Sequence, residues 1–151
     1  MSRQSPPVRL AGYLLHRRLR IEQEPVQRTL RRMVNCAGIG LHSGRKVTLA
    51  LRPAPAGYGI RFLRADLGVE IPALVSHLGG HQQLQTWLVQ DEASVETVEH
   101  LLAALHSLGI DNVCVELSHS EVTIMDGSAA PWVYLIQDAG HRRCHARHQG
   151  G

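Results

Sequence analysis

Two stretches far apart in the chain, "KVTLALRP" at 46–53 and "NVCVEL" at 112–117, alternate apolar and polar residues. In the first, Val47, Leu49 and Leu51 interleave with Thr48, Ala50 and Arg52; in the second, Val113, Val115 and Leu117 fall on one face. Successive side chains of a strand point to opposite sides, so this alternation predicts strands with one face on a core and one in water. Shorter strand candidates lie between and around them: "GIRFLRAD" after the turn "PAPAGYG", then "EIPALV" and "LQTWLV". Upstream, "QRTLRRMVNCAGIG" can run as a strand into a glycine turn.

Helical periodicity takes over at "SVETVEHLLAALHSLGIDN", Ser94 to Asn112. At roughly 100° per residue, Val95, Val98, Leu101, Leu102, Leu105 and Leu108 fall within a stripe about 140° wide, which predicts a helix with one face in the core. "DGSAAPWVYLIQDAG" reads as a final helix, with Ser128 as N-cap, Pro131 in the first turn and Gly140 as the stop. Strands outnumber helices and early connections are of hairpin length. The expected fold class is α+β: a single domain, one mostly antiparallel sheet covered by two helices.

Charge divides the chain in the same way. The net +3 of the 151 residues is made at the ends: residues 1–26 hold five arginines against two glutamates, and residues 141–151 hold three arginines and no acid. The segment 27–140 carries eight Lys/Arg against eleven Asp/Glu, a net of −3. A nucleic-acid surface needs basic residues gathered on a folded face, and six aromatics leave little to stack on bases, so nucleic acid is not expected as a partner. The domain is therefore expected at 27–140, with 1–26 a disordered extension and 141–151 a basic, His-rich tail that is disordered or non-native. No apolar run approaches the ~20 residues of a transmembrane segment. Three cysteines without a CxxC pair fit a reducing compartment, and a cytoplasmic location is expected.

"GIGLHSGRK" at 38–46 meets neither the dinucleotide nor the phosphate-loop spacing and leads into a strand, so its glycines read as turn residues and His42 as a surface histidine. Glu96, Glu99 and His100 fall in an arc of roughly 100° opposite the leucine stripe. They could form a solvated Glu96–His100 pair worth ~0.2–0.5 kcal/mol, the preferred reading on the residues alone. Alternatively, His100 is a zinc ligand and Glu99 the general base of a metal-assisted hydrolase. His106 lies roughly 120° round the helix from His100, so the two cannot chelate one metal. Asp126 and Ser128 read as turn and cap chemistry, and His141, His145 and His148 as part of the tail.

Four stretches together add a resemblance: "QRTLRRMVNCAGIGLHSGRKVTLALRPAPA", "TVEHLLAAL", "GIDN" and "IMDGSAAPWVYLIQDAG". In this order and spacing, over about three quarters of the chain, they resemble the N-terminal domain of the UDP-3-O-acyl-N-acetylglucosamine deacetylase family, zinc enzymes of lipid A biosynthesis in Gram-negative bacteria. The resemblance implies two similar α+β domains packed helix to helix, with the active site between them. It implies that Glu99 is the general base, that His100 is a ligand of Zn2+, and that acetate leaves the UDP-sugar. Leu41 and His42 fall where the family's cleft wall lies. Leu84 and Gln85 begin the strand that borders the substrate.

The family's remaining ligands, an Asp and a second His, together with a neighbouring Lys and an acidic His, belong to a second domain whose motif is not in this sequence. Ser120 and Thr123 stand where the family usually has prolines, and Glu96 replaces a small polar residue. A catalytic zinc takes three protein ligands plus water, and His100 is one. Three expectations follow: a truncated or frameshifted deacetylase inactive alone, a half-enzyme that pairs with a separate second domain, or a non-catalytic module in which His141, His145 or His148 joins His100 around a metal.

Overall fold

A computed structural model describes residues 26–40, 43–82, 85–123 and 129–144. Among the described residues ten strands and two α-helices follow one another in the order β1 (Arg28–Leu30), β2 (Val34–Ile39), β3 (Lys46–Pro53), β4 (Ile60–Arg64), β5 (Val69–Pro72), β6 (Leu78–Gln82), β7 (Gln85–Gln90), β8 (Ala93–Glu96), α1 (Glu99–Ser107), β9 (Val113–Leu117), α2 (Ala130–Ala139) and β10 (His141–Arg143). The α+β expectation holds, but the expected single sheet is three. The largest has the order β2-β3-β9-β4-β5, the second is β6-β7-β8, and β1 pairs with β10. All pairings are antiparallel except β4 with β9.

The two alternating segments become neighbours, β3 and β9, at the middle of the five-stranded sheet. Their register sets Leu51 opposite Val115 and Leu49 opposite Leu117. Phe62 on β4 then lies beside Val115, and Ile71 on β5 beside Phe62, so one apolar row crosses the sheet. Leu101, Leu102 and Leu105 from α1, with Trp132 and Ile136 from α2, close over this face in a single buried cluster. The leucine stripe is thus buried as its period requires, with Leu108 half-buried at its end.

The helix begins later than its period suggests. Ser94, Val95 and Glu96 belong to β8, where they pair with Val89, Leu88 and Trp87 of β7. "ASVETV" satisfies both periods, since Val95 and Val98 are buried on either reading, and cross-strand pairing decides in favour of the strand. At the other end Gly109 adopts φ 72, the Ile110 N–H reaches the Leu105 carbonyl and the Gly109 N–H the His106 carbonyl, a Schellman closure that a glycine permits. On α2, Pro131 lies in the first turn and Gly140, at φ 76, ends the helix as expected. Its cap position is Ala129, not Ser128, which lies outside the described residues with Asp126.

The chain does not leave the fold at Gly140. His141–Arg143 form β10 in register with Leu30–Arg28, and the Cys144 N–H donates to the Gln27 carbonyl at 2.8 Å. Basic residues without apolar period still pair here, because β1 offers open backbone groups and Asn112 anchors both strands. Asn112 is buried: its Oδ1 accepts from the Gly59 N–H at 2.8 Å, its Nδ2 donates to Gln27 Oε1 at 2.9 Å, and its backbone N–H donates to the Arg28 carbonyl. Asp111 accepts from the Arg28 N–H at 2.9 Å. The part of the expected tail beyond Cys144, and the extension before Val26, lie outside the described residues.

The large sheet is tied to β8 through Arg64, which is 8% exposed. Its guanidinium donates to both carboxylate oxygens of Asp66, at 2.9 and 2.7 Å, and to the Ser94 carbonyl at 2.8 Å. The Arg64 hydrogen bonds hold the Asp66 carboxyl below its ordinary range. A carboxyl depressed in the folded state adds stability above its unfolded pKa, about 3.9, and that contribution is lost as pH falls through the folded value. Asp66→Asn should therefore lower the urea midpoint at neutral pH and make it fall less steeply on acidification below about pH 4 than in the parent chain. Asn112→Ala, which strands buried backbone partners, should cost roughly 1–3 kcal/mol in the same denaturation measurement.

Candidate active site

Glu99 and His100 open α1. With the core side of the helix filled by Leu101, Leu102, Ala104 and Leu105, the pair shares the opposite face with Ala103 and Ser107. Both are half-buried, and Glu99 Oε1 is closed to solvent. Glu96, which the sequence placed on the same helical arc, is on β8 instead, so the helical Glu96–His100 pair does not exist. Its backbone bonds sideways, the N–H to the Ser120 carbonyl at 2.7 Å and the carbonyl from the Val122 N–H at 2.9 Å. His106 stands in the last turn of the helix, apart from the Glu99–His100 turn.

Between β8 and α1 lies Thr97, buried and at φ 61. A β-branched residue in the left-handed region is strained by about 1–3 kcal/mol, and such strain persists only where surrounding contacts fix it. Here the Thr97 and Val98 N–H groups both donate to the Thr86 carbonyl, at 2.8 and 3.3 Å. The Thr97 hydroxyl donates to Glu121 Oε2 at 3.2 Å. Glu121, 1% exposed, uses its other oxygen, Oε1, to accept from the Ser43 N–H at 3.0 Å.

These contacts place the flanks of the sequence-derived candidates together. Leu41, His42 and Leu84 lie outside the described residues, and of Gln85 the structure describes the backbone, at the start of β7 opposite Gln82. Gly40 and Ser43, which bracket Leu41 and His42, meet Glu121. Thr86, which follows Gln85, meets Thr97 directly. Glycine is required at position 40 for space: a side chain there would collide with Glu121 Oε1 and with Ser43 Oγ. The neighbouring Thr123 hydroxyl donates to the Ile39 carbonyl at 3.3 Å and fills the space beside Gly38 in the same way. Neither Glu121 nor Thr97 was singled out by sequence. The one available signal was an acid at the head of "EVTI", between the polar run 118–120 and the apolar Val122.

The charge and metal chemistry of this region is limited. Burial pushes the thiols of Cys36, Cys114 and Cys144 up, so none offers a thiolate near neutral pH. Among the described residues no three His, Cys, Asp or Glu side chains stand close enough to hold a metal ion. His141, on β10, joins no such group, and His145 and His148 lie outside the described residues. His100 can contribute one nitrogen, and catalytic zinc takes three protein ligands. The described residues therefore do not fit a zinc site by themselves.

Residues 27–150 match the family model described as LpxC: UDP-3-O-acyl N-acetylglycosamine deacetylase. This chain belongs to the LpxC family. The match begins where the described fold begins and runs past Gly140, through β10. One curated relative, a UDP-3-O-acyl-N-acetylglucosamine deacetylase of Pseudomonas entomophila (strain L48), is 57% identical over 116 residues. The aligned part is 76% of this chain and 38% of that relative, so the chain spans well under half the length of the LpxC protein it matches. No helix among the described residues is long and apolar enough to cross a membrane.

Because Gly40 packs against a buried carboxylate with no slack, Gly40→Ala should destabilise the chain by about 1–3 kcal/mol. A thermal melt compared with Gly79→Ala, where the obstacle is the side chain of Trp87, checks this: both should fall, and a Gly40→Ala melt equal to the parent's would remove the packing account.

Proposed function

We propose that this chain provides the general-base side of a deacetylase site that acts on UDP-3-O-acyl-N-acetylglucosamine, in the cytoplasmic part of lipid A biosynthesis that supplies the Gram-negative outer membrane. The observation that carries the reading is the adjacency of Glu99 and His100 on the face of α1 turned from the core, in a chain of the LpxC family. In the proposed reaction the Glu99 carboxylate accepts a proton from water as its oxygen bonds to the acetamide carbonyl carbon. The carbon–nitrogen bond then breaks as the nitrogen takes the proton held on Glu99; acetate departs, the remaining hydroxyl proton passes to the amine, and the sugar keeps its nitrogen as a protonated amine with Glu99 returned to the carboxylate. Leu41, His42, Leu84 and Gln85 are proposed to line the substrate's approach.

His100 is proposed as one ligand of Zn2+. When bound in a hydrolase, zinc lowers the pKa of a water and polarises a carbonyl. The other ligands must come from outside the described residues, and the proposed source is a second domain of the kind that the longer LpxC relative has room for. The half-enzyme reading is preferred to the metal module built on the tail histidines, since among the described residues His141 joins no group of three metal donors.

The test is to assay release of acetate from the UDP-sugar by this chain alone and with the remaining portion of the Pseudomonas entomophila relative supplied. Activity is expected with the second portion, and Glu99→Ala should lower kcat by roughly 10²–10⁴-fold. Zinc content measured alongside should depend on His100 in the assembled form. Undiminished turnover in Glu99→Ala would sink the assignment.

A further inference from the structure

We propose that Glu121 is a positioning residue for the Glu99–His100 turn, acting through the hydroxyl of Thr97; this rests on the reading of Glu99 and His100 given above. Glu121 is a carboxylate almost wholly removed from water, a placement that costs free energy unless hydrogen bonds satisfy both oxygens. One oxygen takes the Ser43 N–H, and the other takes the Thr97 Oγ1–H. A single side chain thus joins Ser43, just before β3, to the residue two positions before Glu99.

The backbone around it is arranged for this purpose. Ser120 and Val122 bond to Glu96 on either side of Glu121, which holds the carboxylate in fixed register with the end of β8. Gly40 leaves the space that Glu121 Oε1 occupies. Thr97 is the informative member. A turn at φ 61 is adopted most readily by glycine, which would remove the strain but also the hydroxyl. Threonine keeps the strained turn and gains a donor aimed at a buried carboxylate. Rotation at Thr97 would swing the first turn of α1, carrying Glu99 and His100 with it, so the Glu121–Thr97 bond, together with the Thr86 carbonyl that holds the Thr97 and Val98 N–H groups, sets where both side chains point.

A residue that only stabilised the fold would act on all parts alike, so the test reads the two ends of the clamp separately. In the full chain, NMR would follow amide exchange at Ser43 and the imidazole resonances of His100, with the amides of Leu49 and Val115 as core reporters. Thr97→Ala is expected to shift the His100 resonances while the core reporters stay in place, and Thr97→Ser, which keeps the hydroxyl, to restore them. Glu121→Gln is expected to speed Ser43 exchange by roughly tenfold or more, the loss expected of one charge-assisted hydrogen bond, and to shift His100 as Thr97→Ala does.

The proposal is overturned if His100 keeps its parent resonances in both Thr97→Ala and Glu121→Gln, or if Thr97→Ser shifts them as far as Thr97→Ala. Should Glu121→Gln fail to fold, the Thr97 pair decides. None of these readouts uses turnover, so failure of the deacetylase reading, seen as an active Glu99→Ala, is distinct from failure of the clamp.

Discussion

Asn112 sits out of contact with water where α1 hands the chain to β9, and its side chain answers groups from three other regions: the Gly59 N–H, the Gln27 amide oxygen and the Cys144 sulfur. Around it, Thr29 donates its hydroxyl to the Asn112 carbonyl at 2.6 Å and accepts from the Ala54 N–H at 2.9 Å. A buried amide must find partners or cost its full desolvation, so this one position forces β1, the end of β3 and the turn before β4 to converge. Once they do, β9 enters the sheet between β3 and β4 in the one register that puts Val113, Val115 and Leu117 on the core. β10 then has an edge to join. The Gly109 closure of α1 is what delivers Asn112 to this place.

The second constraint works against local preference. Thr97 holds a backbone conformation that threonine avoids, and the chain needs it because β8 must stop and α1 must start within two residues. Cross-strand pairing on one side and leucine burial on the other fix the two elements independently, so the strain falls on the link. That link is bonded to Thr86 and Glu121, and it leads directly into Glu99 and His100. Strain next to the candidate base is what a preorganised site requires: two side chains held at a set angle by a framework that does not relax.

The fold also sets which way the candidate pair faces. The core claims the leucine side of α1, leaving Glu99, His100, Ala103 and Ser107 facing outward. A metal-assisted hydrolase needs donors arriving from more than one direction, and among the described residues none reaches His100 from across that face as part of a three-donor group. Within the LpxC family, this chain, whose aligned part is 38% of its relative, presents Glu99 and His100, the proposed base and ligand, on the face of α1 turned from the core.

Much of this was legible in the order of the residues. Alternation in β3 and β9, the leucine stripe of α1, the Gly140 stop and the Glu99–His100 turn are local patterns, set by periods of two or 3.6 residues and by which residues tolerate positive φ. Other features depended on partners remote in sequence. Ser94–Glu96 fit a helix as well as a strand until β7 claimed them; His141–Arg143 had no apolar period, yet an open strand edge accepts any side chain that points to water. Glu121 carries no local pattern that marks it in the sequence. Only the tertiary structure buried it between Ser43 and Thr97, because the worth of a polar side chain is decided by which donors reach it, and those lie 78 and 24 residues away along the chain.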